Sequence, residues 1–174
     1  AVIKYFCNPQ YLIHEVFDTC ASHFYTTSDI CVAFSGFGLH TIKKAKETGA
    51  ITMIERGSAH MLWQAQILAE EHEKYGLKFQ RASAKFIEKT LLEYEEADYI
   101  SIPSLFAKRT FLERGIAEEK LIHVPYGVYL DEFKQEPRED TTFRIVYAGG
   151  MTLRKGVHYL LKAFSELNLP HSEL

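Results

Sequence analysis

The chain has no apolar run long enough to cross a membrane, and no secretory-signal pattern opens it. Cysteine is scarce. Cys7, Cys20 and Cys31 are odd in number and lack C-x-x-C spacing, so neither a disulfide framework nor a zinc site is indicated, and a reducing cytoplasm is the default compartment. Neither sign of charge dominates: 20 Lys and Arg stand against 23 Asp and Glu, giving a net charge of −3 and a pI near 6.3. That balance gives no general pull toward nucleic acid or an anionic membrane. H-E-x-x-H is missing, as are Cys/His groups of metal spacing and basic runs interleaved with aromatics, and the eight histidines are scattered singly. Internal repeats and low-complexity runs are also absent. What remains is ordinary globular composition, 174 residues at 47% hydrophobic and 25% charged, near the size of one domain. The missing initiator Met and an end just after one helix suggest a fragment of a longer protein.

Apolar and polar stretches alternate along the chain. Pro9 to about Phe24 reads as a helix whose apolar face is Leu12, Ile13, Val16, Phe17, Cys20 and Phe24. Ile30–Phe34 is a continuous apolar run of the kind found in strands buried on both faces. Ser35-Gly-Phe-Gly38 then forms a glycine loop into a helix over Leu39–Thr48, closed by Gly49. This loop is not a nucleophile elbow, because the glycine such an elbow needs before Phe34 is missing. Ala50–Glu55 reads as a strand, and a long helix to about Tyr75 follows the loop Glu55-Arg-Gly-Ser-Ala-His60. With Ser58 as N-cap, His60 falls in the first turn at the carboxyl edge of the sheet, where open α/β sheets bind ligands; capping or packing is the alternative role for a lone His there. Ser83–Ala97 is a further helix whose acidic end, Glu93-Tyr-Glu-Glu-Ala-Asp98, reads as a solvated face rather than an acid/base pair. Asp98–Pro103 and Leu121–Pro125 read as strands, and Ser104 caps a helix over Leu105–Arg114. Lys134–Thr142 is polar, contains Pro137, and is the one clear linker. Strand and helix alternate throughout, so the predicted fold class is α/β, a Rossmann-like parallel sheet with helices on both faces.

The most informative stretch is Phe143–Phe164. Phe143–Ala148 is rich in β-branched and aromatic residues and reads as a strand. Gly149 and Gly150 allow a tight turn, and Val157, Leu160, Leu161 and Phe164 follow helical spacing. Arg154 and Lys155 stand at the helix entrance, where free N–H groups and the positive end of the helix dipole favour an anion. A tight turn with a merely solvated basic pair accounts equally well for this spacing. It is neither a Walker loop nor G-x-G-x-x-G.

Ala148-Gly-Gly-Met-Thr-Leu-Arg-Lys-Gly-Val-His-Tyr-Leu-Leu-Lys-Ala-Phe164 resembles the opening of the donor domain of GT-B glycosyltransferases of the retaining family 4. Val124-Pro-Tyr-Gly-Val-Tyr-Leu-Asp-Glu-Phe133 resembles the interdomain P-x-G-V-D-x-x-x-F segment of that family, with Tyr129 in place of the Asp. The resemblance extends back to about Asp29. It implies a partial acceptor-side Rossmann-like domain over residues 1–126, an interdomain segment and linker over 127–142, and the start of a nucleotide-sugar donor domain over 143–174. The implied activity moves a sugar from a nucleotide-diphosphate sugar to a glycan, lipid-linked or small-molecule acceptor with retention. It needs no metal or other cofactor, in a cytoplasmic protein that can lie peripheral to a membrane. By the resemblance His60 is the catalytic, acceptor-side group; Arg154, Lys155, Gly149 and Gly150 bind the donor diphosphate; and Ser35, Gly36, Arg56 and Ser104 line the cleft. Gly150 stands where many relatives carry Arg, and the E-x7-E donor motif lies outside the chain, so the chain alone is expected to be inactive. A phosphate-ligand-binding module without catalysis and a GT-B-fold nucleotide-sugar epimerase remain the alternatives.

Overall fold

A computed structural model describes residues 9–135, 137 and 140–174. The chain divides into two compact units, the first comprising residues up to Ile67 with Gln80–Tyr126, the second Leu68–Phe79 with Gly127–Leu174.

The first unit is α/β. Helix α1 (Pro9–Phe24) leads to β1 (Ile30–Phe34), α2 (Leu39–Glu47), β2 (Ile51–Glu55), α3 (Met61–Lys74, continuing into the second unit), α4 (Ala84–Glu96), β3 (Tyr99–Ile102), α5 (Leu105–Leu112) and β4 (Leu121–His123). The four strands form one parallel sheet in the order β1-β2-β3-β4, in register at Ile30↔Ile51, Met53↔Tyr99 and Ile100↔Leu121. This is the Rossmann-like parallel sheet flanked by helices that the alternation predicts. Its core joins sheet residues Ile54, Ile100, Ile102 and Leu121 to Ile42 of α2, Met61 of α3, Tyr94 of α4 and Ala107 and Phe111 of α5. Helix starts follow side-chain chemistry: Ser83 accepts from Phe86 N and Ser104 from Ala107 N, each satisfying a free donor of the first turn.

Three expectations fail here for identifiable reasons. The apolar stripe of α1 does not face the core, since Ile13, Val16, Phe17 and Phe24 are all exposed. The helix is instead seated by its polar side: Asp18 is fully buried and accepts from His40 N, Thr41 N and Thr41 Oγ1, which caps α2 from outside it. Strand β1 is buried on one face only, with Ile30, Val32 and Phe34 exposed; an apolar run shows that a strand can be covered twice, not that it is. Glu93, placed on a solvated acidic face by its neighbours, is 0% exposed. It lies seven residues after Phe86 and three after Thr90, on the stripe of α4 that faces the core.

In the second unit, β5 (Phe143–Arg144) pairs in parallel with β6 (Ser172–Glu173), and α6 (Val157–Leu167) lies between them in sequence. The strand expected over Phe143–Ala148 is therefore much shorter. Beyond it the Ile145 N–H extends the pairing, to the Glu173 carbonyl, and Val146 is 85% exposed, so the second half of this β-prone run goes without ladder partners among the described residues. The C-terminal half of α3 belongs to this unit: Glu71 pairs with His158 at 2.8 Å, and the Lys74 ammonium donates to the Tyr159 hydroxyl at 2.5 Å.

Candidate functional site

Ser35, Gly36, Arg56, His60 and Ser104 all sit in loops that leave the carboxyl ends of β1, β2 and β3. Backbone bonds tie these loops together, from Ser35 N to Glu55 O, from Arg56 N to Ser101 O and from Val124 N to Ile102 O. The Tyr126 hydroxyl adds a bond to Gly57 O at 3.0 Å. The structure thus gathers this half of the expected site at one sheet edge.

Ser35 Oγ is buried and completes no hydrogen bond of full geometry among the described residues, whereas the other members of that edge are committed to the fold. His60 is 3% exposed, with its ring 5.2 Å from that of Tyr94 and 5.0 Å from that of Phe111. It is itself the N-cap of α3: its carbonyl accepts from Gln64 N, and Nδ1 accepts from Leu62 N at 3.2 Å. Its own N–H donates to Thr110 Oγ1 at 2.9 Å. Ser58, expected as the cap, instead donates to Gln64 Oε1. Burial, with smaller contributions from Arg114 and Arg56, lowers the His60 pKa to about 4, so at neutral pH the ring is uncharged. The ring is thus enclosed among aromatic side chains, and its Nδ1 is used as a cap. Arg56 is half-buried, donating from Nε to Ala59 O and from Nη2 to Gln64 Oε1. Ser104 is the cap of α5.

The glycine loop between β1 and α2 is occupied from within. Glu93 accepts from Gly36 N at 2.5 Å and from Gly38 N at 2.9 Å, filling with a carboxylate the donors that a phosphate would use. Gly36 has φ +92, and a Cβ there would come within 2.9 Å of the Phe86 ring. The His14 ring stacks on Phe37 with centroids 3.7 Å apart. Gly36→Ala should therefore destabilise the fold by about 1–3 kcal/mol through the left-handed backbone alone. Urea unfolding followed at Trp63 reads this directly, and a loss below about 0.5 kcal/mol would show that the loop relaxes freely.

Beneath the loop lies an ion cluster that the sequence reading missed. Lys89, 3% exposed, pairs with Asp18 at 2.7 Å and Glu15 at 2.8 Å, and Glu15 also meets His40 Nε2 at 2.6 Å. Burial opposes the Lys89 charge, but the bonds to Asp18 and Glu15 outweigh it and raise the pKa. Burial raises the Glu93 pKa to about 7, against the lowering effect of the two glycine N–H bonds.

His60 and Glu93 should give opposite pH dependences. His60 is lowered from 6.5 to about 4, so its stabilisation is complete above pH 6.5 and is lost as pH falls through 4. Glu93 is raised from 4.5 to about 7, so its contribution is complete below pH 4.5 and is lost as pH rises through 7. Each is worth roughly 3 kcal/mol across its window. Relative to wild type, the stability of His60→Gln should rise on acidification, and that of Glu93→Gln should fall. Parallel curves for all three proteins would rule this out.

In the second unit, Arg154 and Lys155 occupy a short 3-10 turn (Leu153–Lys155) before Gly156, which has φ +70 and is the N-cap of α6. Both side chains are exposed and form no ion pair among the described residues. Gly149 and Gly150 are exposed just ahead of them, and the Tyr147 hydroxyl donates to Gly150 O at 2.9 Å. The expected diphosphate residues are thus grouped at the start of an 11-residue helix. No cluster of three or more His, Cys, Asp or Glu suited to a metal ion occurs among the described residues, and none of their helices is long and apolar enough to cross a membrane. Comparison with family models, curated proteins and solved structures returned no match.

Proposed function

We propose that the chain is part of a glycosyltransferase that moves a sugar from a nucleotide-diphosphate sugar to a glycan, lipid-linked or small-molecule acceptor with retention. The observation that carries this reading is the exposed Arg154–Lys155 pair behind the Gly149–Gly150 turn at the N-terminus of α6. A helix start offers free N–H groups and a positive dipole end to an anion, and two cations with no ion pair among the described residues add to that field. The resemblance of Ala148–Phe164 and Val124–Phe133 to family 4 segments supplies the reaction class. In that chemistry negative charge grows on the departing diphosphate, and fixed cations stabilise it.

The same geometry moves the functional weight away from His60. Its burial favours a second reading, in which the chain binds a phosphorylated ligand without turning it over. The experiment is to supply nucleotide sugars to a protein that carries this chain together with an E-x7-E donor segment. Transfer with retained anomeric configuration supports the transferase, inversion contradicts the retaining assignment, and binding without turnover favours the second reading.

A further inference from the structure

We propose that the β1–α2 loop is a proton-operated latch: Glu93, ionised, grips the Gly36 and Gly38 N–H groups, and its protonation loosens that grip. Lys89 is paired with two carboxylates, Glu15 and Asp18, and its charge also acts on a third, Glu93. Lys89 spends its bonds on Asp18 and Glu15, and Asp18 is further held by His40 N, Thr41 N and Thr41 Oγ1. His40 Nε2 also lies 2.6 Å from Glu15 Oε1. Glu93 is left fully buried with two backbone N–H donors and no ion pair among the described residues. Burial of a carboxylate in that position favours its protonated form.

The surroundings on every side fit that role. From α1 come Asp18, whose charge favours protonation of Glu93, and His14, whose Nδ1 is buried beside Gly36. From α4 come Lys89, which opposes protonation, and Tyr94, whose hydroxyl is buried and completes no hydrogen bond of full geometry among the described residues. Arg56, from the β2–α3 loop, acts on Tyr94, and the His60 ring packs against it. When Glu93 takes a proton from solvent, the negative charge that both glycine N–H groups share is lost. The carboxyl oxygen bearing the proton becomes a donor and can no longer accept well from the N–H facing it. The loop at the ligand-binding edge of the sheet would then respond to pH across the neutral range, where the folded pKa of about 7 places the change.

The test is a pH titration of the 174-residue chain by NMR, following the side-chain carboxyl carbon of Glu93 and the amides of Gly36 and Gly38 from about pH 5 to 9. All three signals should move together with one midpoint near 7, while the His40 and Thr41 amides held by Asp18 do not share it. The carboxyl signal in wild type needs no variant and so remains readable if a substitution fails to fold. In Glu93→Gln the glycine titration should vanish, and in His14→Phe it should persist. A Glu93 carboxyl that shows no midpoint in this range overturns the proposal. So does a Gly36 and Gly38 titration that survives in Glu93→Gln, or one that is lost in His14→Phe.

Discussion

Asp18→Ala is expected to destabilise the first unit by about 3–5 kcal/mol, the cost of leaving one member of a buried ion pair without its partner. Asp18 is fully buried, and its two carboxylate oxygens serve four donors: Lys89 Nζ at 2.7 Å, His40 N at 2.9 Å, Thr41 N at 3.0 Å and Thr41 Oγ1 at 2.9 Å. Removing it uncaps α2 and leaves Lys89 with Glu15, whose side chain is 29% exposed. A loss of this size is a large part of the roughly 5–15 kcal/mol that holds a typical domain. Lys44→Ala breaks only the exposed Lys44–Glu47 pair and should stay within about 0.5 kcal/mol of wild type. Replacing both partners, Asp18→Leu with Lys89→Met, should recover much of the loss, because no uncompensated buried charge remains. Urea unfolding followed at Trp63, the only tryptophan, reports the first unit. A change of under about 1 kcal/mol in Asp18→Ala would mean that the cluster does not hold the helices together.

The sequence made the sheet legible and the ion cluster invisible. The runs Ile30–Phe34 and Ile51–Glu55 combine strand-forming residues with turn residues at both ends, and both are strands. The caps at Ser83 and Ser104 work locally, over three residues, so local sequence suffices to place them. Asp18 acts on residues 22 and 23 positions away, and Glu93 on residues 55 and 57 positions away. No local rule reads such contacts. For Asp18 the apolar stripe of α1 gives the wrong face, because that helix is oriented by its charges. Glu93 was recoverable, since its spacing from Phe86 and Thr90 puts it on the inward stripe of α4, although its acidic neighbours suggest a solvated end. The capping alternative for His60 was also open in the sequence. What the sequence could not supply was the enclosure of its ring by Tyr94 and Phe111, residues from elements much later in the chain.

Lys155→Ala, in a protein that joins this chain to an E-x7-E donor segment, is expected to lower turnover by about 100- to 1000-fold, or roughly 3–4 kcal/mol of transition-state stabilisation. Donor binding should weaken far less. The leaving diphosphate gains negative charge as the glycosidic bond breaks, so a cation beside it acts more strongly on the transition state than on the bound substrate. Arg154→Lys should be tolerated only in part, because the charge remains while the bidentate fork on phosphate is lost. Lys162→Ala is the control: Lys162 lies beyond the first turn of α6 and faces Glu166 at 3.8 Å. Its loss should leave kinetics nearly unchanged. Turnover of Lys155→Ala equal to wild type would mean that the basic pair is only solvated.

The central claim is that the Arg154–Lys155 turn receives a nucleoside diphosphate, and the most direct measurement is an NMR titration of this chain with unsubstituted nucleoside diphosphates. The account predicts saturable shifts concentrated in the amides from Gly149 to His158. They should be abolished in the Arg154→Ala, Lys155→Ala double variant and kept in Lys162→Ala. Shifts centred on the β1–α2 loop instead, or no saturable change in Gly149–His158, would contradict it.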